Sequence, residues 1–268
     1  MTRFPFAPRL TWRCLAAVLA LVATRPSVWA ANLIGSYDLA AGSYANSISG
    51  SGSLGSLSPI STSGTYGFVT SGSDPGWSWS GATAPGTGLT LSGLPANDFG
   101  STFGSYSIGM RFSSGQVSGY RRLIQFKDAD IGQYVFDGAF RFYDNGNNPS
   151  GGSITANTTV DFVLTRTTTG TVTGYVNGSS IPVLSFLDGS DARTDSNRTL
   201  QFFRDNTGGS DFSTSGNVSL LHVWNGPLTA AEIPTAMTIV PEPTTAVLVT
   251  VGAAGAMLRR SRRRTRGR

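Results

Sequence analysis

The stretch TTVDFVLTRTTTGTVTGYVNGSSIPVLSF, residues 158–186, decides the fold. Apolar and polar side chains alternate from Thr159 to Arg166 and again from Thr171 to Val176, the period of two expected of strands with one face buried. Thr-Thr-Thr-Gly forms the turn between them. Asn177 and Gly178 then supply the positive φ that a tight hairpin turn requires, before a third strand runs up to Phe186.

The same pattern extends in both directions. Upstream, Tyr106, Ile108, Met110 and Phe112 alternate with Ser105, Ser107, Gly109 and Arg111. RRLIQF (121–126), GQYVF (132–136) and GAFRFY (138–143) follow at hairpin spacing, separated by Asp-Ala-Asp and Asp-Gly turns. Downstream, RTLQFF (198–203) and NVSLLHVW (217–224) read as strands, and NGPLTAAEI (225–233) as a short helical turn opened by Pro227 and Thr229 and carrying Glu232. Near the start, Leu33 to Leu39 reads as a first strand, followed by a loose Gly/Ser-rich loop to about Pro59. With 34 glycines, 13% charged residues and few helix formers, about a dozen short strands predict one all-β domain, a β-sandwich of the jelly-roll kind.

The ends differ from the body. Four arginines lie in the first 30 residues and seven in the last ten, leaving nine basic against fourteen acidic residues between Ala31 and Ile239. The body is therefore mildly acidic, and the high isoelectric point gives no support to nucleic-acid binding. Residues 1–30 have the arginine-bearing start, the short apolar run and the Val28-Trp29-Ala30 cleavage site of a secretory signal peptide; an uncleaved N-terminal anchor is the alternative. Its removal at Ala30 takes away Cys14, the one cysteine. At the other end, Val240, Pro241, Glu242 and Pro243 precede an apolar run from Thr244 to Leu258 and then the arginine cluster. As a helix that run is about 22 Å long against a bilayer core of about 30 Å, a marginal span whose arginines would stay cytoplasmic.

Two resemblances follow from these residues. LTRTTTGTVTGYVNG (164–178) and LHVWNGPLTAAEI (221–233) are similar to the strand pair and the closing strand of laminin-G-like, concanavalin-A-like domains, over roughly Leu33 to Ile239. Residues 240–268 resemble the PEP-CTERM sorting signal of Gram-negative bacteria. The expected fold class is thus an all-β, laminin-G-like jelly-roll sandwich at 31–239, with an N-terminal signal helix at 1–30 and a single C-terminal membrane helix. The second resemblance implies export through the Sec translocon and an inner-membrane intermediate. Processing by an exosortase at Val240–Pro243 would then deliver the protein to the cell surface or an exopolysaccharide matrix.

Chemistry in the body is sparse. A glycosidase needs two carboxylates facing across a cleft, and the glucanase motif Glu-x-Asp-x-x-Glu is missing; Asp128 and Asp130 are the substitutes for a hydrolase reading, and no catalytic residue is assigned. His222, the one histidine, shares a strand face with Leu220 and Trp224 and reads as a half-buried structural residue. The fold resemblance implies Ca²⁺ at the loop rim, with Asp128 and Asp130 as the candidate ligands among turn carboxylates that also include Asp144, Asp188, Asp191, Asp195, Asp205 and Asp211. Trp77 and Trp79 in GWSWSG point to one face of a strand, as either a glycan platform or part of the core. The expected function is non-catalytic adhesion or exopolysaccharide association. A carbohydrate-active hydrolase on the same sandwich and a purely structural surface protein are the alternatives.

Overall fold

A computed structural model describes residues 31–143 and 149–238. Fifteen strands follow one another: β1 (Leu33–Asp38), β2 (Ser58–Ser61), β3 (Thr65–Val69), β4 (Gly76–Ser80), β5 (Thr87–Ser92), β6 (Tyr106–Ser114), β7 (Tyr120–Gln125), β8 (Gly132–Phe136), β9 (Ala139–Tyr143), β10 (Ser150–Gly151), β11 (Val160–Arg166), β12 (Thr171–Val176), β13 (Leu184–Leu187), β14 (Thr199–Phe202) and β15 (Gly216–Trp224). They form two antiparallel sheets. The first has eight strands in the order β13-β12-β11-β6-β15-β4-β3 with β1 also on β15, and the second has seven in the order β10-β9-β8-β7-β14-β5-β2. One edge of β15 is shared, Gly216–Val218 pairing with β4 and the residues from Leu220 to Trp224 with β1.

Alternation sorts the side chains as the sequence predicts. Tyr106, Ile108, Met110 and Phe112 of β6 face inward with Phe162 and Leu164 of β11 and with Leu221 and Val223 of β15, against Leu123, Val135, Phe140, Phe142, Leu200 and Phe202 of the second sheet. The turn at Asn177-Gly178 has the expected positive φ, 51° and 69°, and is closed by the Ser179 amide on the Val176 carbonyl, but it opens a longer connection: β12 ends at Val176 and β13 begins at Leu184, so the expected two-residue hairpin is not formed. Four strands escaped the sequence reading. β2 begins at the end of the expected loose loop, β3 and β10 lie in stretches to which no element was assigned, and β5 (TGLTLS) carries little patterning. Their burial comes from the strands they pair with, which local composition does not record.

A second apolar cluster covers the outer face of the first sheet. Leu220 and Trp224 of β15 and Val163 of β11 pack against Leu228 and against Ile233, Ala236 and Met237 of the closing segment. The helical turn there is Ile233–Ala236, and the Glu232 carboxylate accepts from both the amide and the hydroxyl of Thr229, 2.7 and 2.8 Å away. Gly109 makes room for this segment: a Cβ there would lie 2.5 Å from the Met237 sulfur.

His222 sits beneath that segment and is fully buried. Its Nδ1–H donates to the Ala236 carbonyl at 2.9 Å, while Nε2 has no partner, and the ring meets Trp224 edge-on. Burial lowers its pKa, and nearby Arg111 pushes the same way against Asp161 and Asp38. The unfolded chain therefore binds the proton more readily, so this contribution is intact above about pH 6.5 and shrinks as pH falls, by at most about 1.4 kcal/mol per unit. His222→Asn, which keeps an N–H near the Nδ1 position and cannot titrate, is expected to flatten the stability profile between pH 6.5 and 5 in urea unfolding. An unchanged slope would assign the acid sensitivity to other groups.

The fold class is corrected in one respect. Among the described residues no helix is long and apolar enough to cross a membrane, so the expected membrane helix is not part of this fold, and the inner-membrane intermediate built on it is withdrawn. The residues on which those readings fell, 1–30 with Val28 and Ala30, and 240–268 with Val240 to Pro243, lie outside the described residues.

Candidate functional site

Register defines the outer face of the second sheet. Tyr143, Gly132, Gln125, Gln201, Thr90 and Ser58 are successive cross-strand partners, so they form one row from β9 across to β2. Neighbouring strands are about 4.8 Å apart, giving the row a span of about 24 Å. Beside it stand Tyr120, Arg122, Tyr134, Phe136 and Arg141, on the same face by the same pairing. One half of the face is thus aromatic and guanidinium, the other amide and hydroxyl.

The aromatic half is tightly built. Tyr120 lies 4.3 Å from Phe136 and meets Tyr143 edge-on at 5.5 Å, and Arg141 lies over Phe136 at 4.4 Å while donating to the Tyr120 hydroxyl. Tyr120, Phe136 and Tyr143 are half-exposed and Tyr134 is buried. The Tyr134 phenol is pushed well up by its burial and donates to Asp130 at 2.9 Å. Arg122, also buried, sits 4.5 Å above that ring and pairs with Asp205 at 2.7 Å and Asp130 at 3.4 Å; Nη1 also donates to the carbonyls of Ala129 and Ile131 and Nη2 to the side chain of Asn206, while Nε has no partner.

The polar half holds a cavity of about 290 Å³, lined by Gln125, Lys127, Asp128, Asp195, Asn197, Thr199 and Gln201 together with Phe126. Gln125 is 4% exposed, yet its Oε1 has no hydrogen-bond partner; neither has the Thr90 hydroxyl, next to Gln201 in the row. Buried polar atoms are nearly always paired, so two orphans beside one cavity call for an explanation. Strand β14, which forms the floor, is flanked by Arg198 (φ 51°) and Phe203 (φ 64°), both in the left-handed region. That conformation costs a side chain with a Cβ about 1–2 kcal/mol, and such strain concentrates at functional sites. Phe203 repays it in the core, packing on Trp79 and Phe112.

The residues singled out from sequence fare unevenly. Trp77 and Trp79 are 0% and 3% exposed on the inner face of β4, so the glycan-platform reading is corrected: both belong to the core. Asp128 lines the cavity. Thr207 donates its amide and hydroxyl to the two carboxylate oxygens at 2.7 and 2.9 Å, which with Arg204 and Arg122 nearby holds the carboxyl below its usual range. Asp130 is turned to Tyr134 and Arg122. These two carboxylates do not fit Ca²⁺ as a pair, because a guanidinium stands 3.4 Å from Asp130 and Asp128 is turned instead to the Thr207 amide and hydroxyl. Among the described residues no group of three or more His, Cys, Asp or Glu is placed to hold a metal. Asp188, Asp205 and Asp191 pair with Arg166, Arg122 and Lys127, and Asp144 lies outside the described residues.

Gln125, Gln201, Tyr120 and Tyr143 went unnoticed in the sequence. Their signal was present in part: in AFRFY and RTLQFF the polar or tyrosyl residue recurs at every second position, which marks the outward face, whereas in RRLIQF the bulge between Arg122 and Ile124 breaks the alternation before Gln125.

Two stacked sheets, with an outward cavity beside half-exposed rings, define a lectin-type β-sandwich. The sequence matches the family described as the concanavalin A-like lectin/glucanases superfamily over residues 86–234, and the chain belongs to that superfamily. The match stops short of Val240–Pro243, and the sorting-signal resemblance and its exosortase route gain no support from any comparison. No curated sequence matches the chain. Among solved structures it is similar to domain 4 of AbnA, a GH43 extracellular arabinanase from Geobacillus stearothermophilus, in complex with arabinotriose (TM-score 0.53, 15% identity, covering 78% of this chain and 100% of that one). It is also similar to the binding domain of botulinum neurotoxin DC in complex with SialylT (TM-score 0.51, 11% identity, 76% and 50%). At these identities the likeness is one of fold.

Proposed function

We propose that the chain is a non-catalytic saccharide-binding domain that associates with a polysaccharide through the outer face of the second sheet. The observation that carries this reading is the unpaired Gln125 Oε1 in the cavity wall, with the unpaired Thr90 hydroxyl beside Gln201 and the half-exposed Tyr143 two strands away on the same face. Sugar rings offer hydroxyl donors along their edges and C–H faces that lie on aromatic rings, which is what the two halves of this face accept. The arabinotriose and SialylT complexes of the two similar structures agree with this reading.

Gln201→Ala and Tyr143→Ala are each expected to weaken retention on the preferred polysaccharide about five- to tenfold in affinity electrophoresis, with thermal unfolding little changed. Retention of both variants at full strength, or no retention of the wild type on any polymer, would remove the proposal.

One observation favours the hydrolase reading, that Asp128 and Asp195 line the same cavity. A glycosidase also needs one carboxyl kept protonated, and Asp128 is held ionised. Asp211, whose carboxyl is pushed up by burial and by Asp205 and Asp130, does not line the cavity. Release of reducing ends from the retained polymer, lost in Asp128→Asn, would establish hydrolysis.

A further inference from the structure

The lining of the cavity is unbalanced between donors and acceptors. Asn197 Nδ2 is directed at Asp195, the Thr199 hydroxyl at the Asn197 carbonyl, and Gln125 Nε2 at Asp128. Lys127 carries its ammonium away to the Ser190 carbonyl at 2.6 Å and to Asp191 at 3.7 Å. Apart from Gln201, what remains for a ligand is oxygen: Gln125 Oε1 and the carboxylates of Asp128 and Asp195. The surroundings lean the same way by one charge, with Asp128, Asp130, Asp191, Asp195, Asp205 and Asp211 against Lys127, Arg121, Arg122, Arg198 and Arg204.

A uronate or sulfated chain would meet repulsion here, and a neutral sugar would supply hydroxyl donors without using the charge. A protonated amine supplies three N–H donors and a positive charge together, and hydrogen bonds from a charged donor to carboxylates are about twice as strong as neutral ones. Resting on the saccharide reading of this same cavity, we infer that the ligand carries a free amine, a de-N-acetylated hexosamine within an oligosaccharide. Asp195, Asp128 and Gln125 Oε1 hold its ammonium.

Calorimetric titration of the full chain with a glucosamine oligomer, its N-acetylated counterpart and a uronate oligomer of equal length tests this. The amine oligomer is expected to bind about tenfold more tightly than the acetylated one at about 50 mM salt, with the advantage falling severalfold at about 500 mM. It is also expected to disappear as pH rises past the pKa of the amine. Asp195→Asn is expected to remove the preference for the amine oligomer over the acetylated one. Equal binding of amine and acetylated oligomers, or tighter binding of the uronate, overturns the amine assignment while leaving the saccharide reading in place. Binding of none of the oligomers, together with no retention on polysaccharide, ends both. If Asp195→Asn fails to fold, the acetylation and salt comparisons on the wild type decide alone.

Discussion

Arg166→Met is expected to lower the unfolding free energy by about 3–5 kcal/mol, seen as a fall in the urea midpoint at constant slope. Arg166 and Asp188 are both fully buried and lie 2.9 Å apart at one end of the sandwich. Each nitrogen of the guanidinium makes one bond: Nε meets Asp188, Nη1 the Gly104 carbonyl and Nη2 the Thr102 carbonyl. The other oxygen of Asp188 accepts the amides of Asp191 and Ala192, whose carbonyl in turn receives the Tyr106 hydroxyl at 2.6 Å. One ion pair thus fastens β11 to the loops before β6 and after β13. Removing the cation leaves a carboxylate in a dry environment and two carbonyls unpaired, whereas Arg166→Met combined with Asp188→Leu removes the charge as well and should recover much of the loss. A double variant no better than the single one would show that the loop hydrogen bonds, not the stranded charge, dominate.

Trp79→Ala should cost a similar amount, about 3–5 kcal/mol. Its ring lies 5.4 Å from Trp77 and 5.0 Å from Phe203, and its Nε1–H donates to the Ser213 carbonyl. The strand beside it has no slack, since a Cβ on Gly216 would come within 2.5 Å of the indole. The variant also separates two readings of GWSWSG. A core residue loses stability first, and glycan retention follows only when the protein unfolds; a platform residue would lose retention with thermal unfolding unchanged. Measurement of both on one preparation decides the matter.

The strands that alternate cleanly, from Tyr106 to Trp224, were legible because each carries its own record of which side is wet. β2, β3 and β5 were not, because short runs of Ser, Thr and Gly become strands only when a neighbour supplies hydrogen bonds. GWSWSG shows a different limit: alternation reveals that two tryptophans share a face, and only the second sheet reveals that the face is inside. The cavity was hidden for a related reason. Gln125 and Gln201 are 76 positions apart in the chain and become neighbours through the pairing of β7 with β14, so no local motif unites them. Asp128 and Asp130 looked alike in sequence, yet one lines the cavity and the other is bound to a buried arginine.

Strand β15 has a consequence for how the chain acquires its fold. It pairs with β1, β4 and β6, yet of the described strands it is the last to leave the ribosome. Until Gly216–Trp224 emerges, three earlier strands lack their central partner, and Leu33–Asp38 waits through nearly 180 residues of synthesis. Contacts of such long sequence separation make folding slow and leave strand edges open meanwhile. A nascent chain stalled before residue 216 should therefore be open to proteases along its first sheet, and addition of the last strand should close it in one cooperative step.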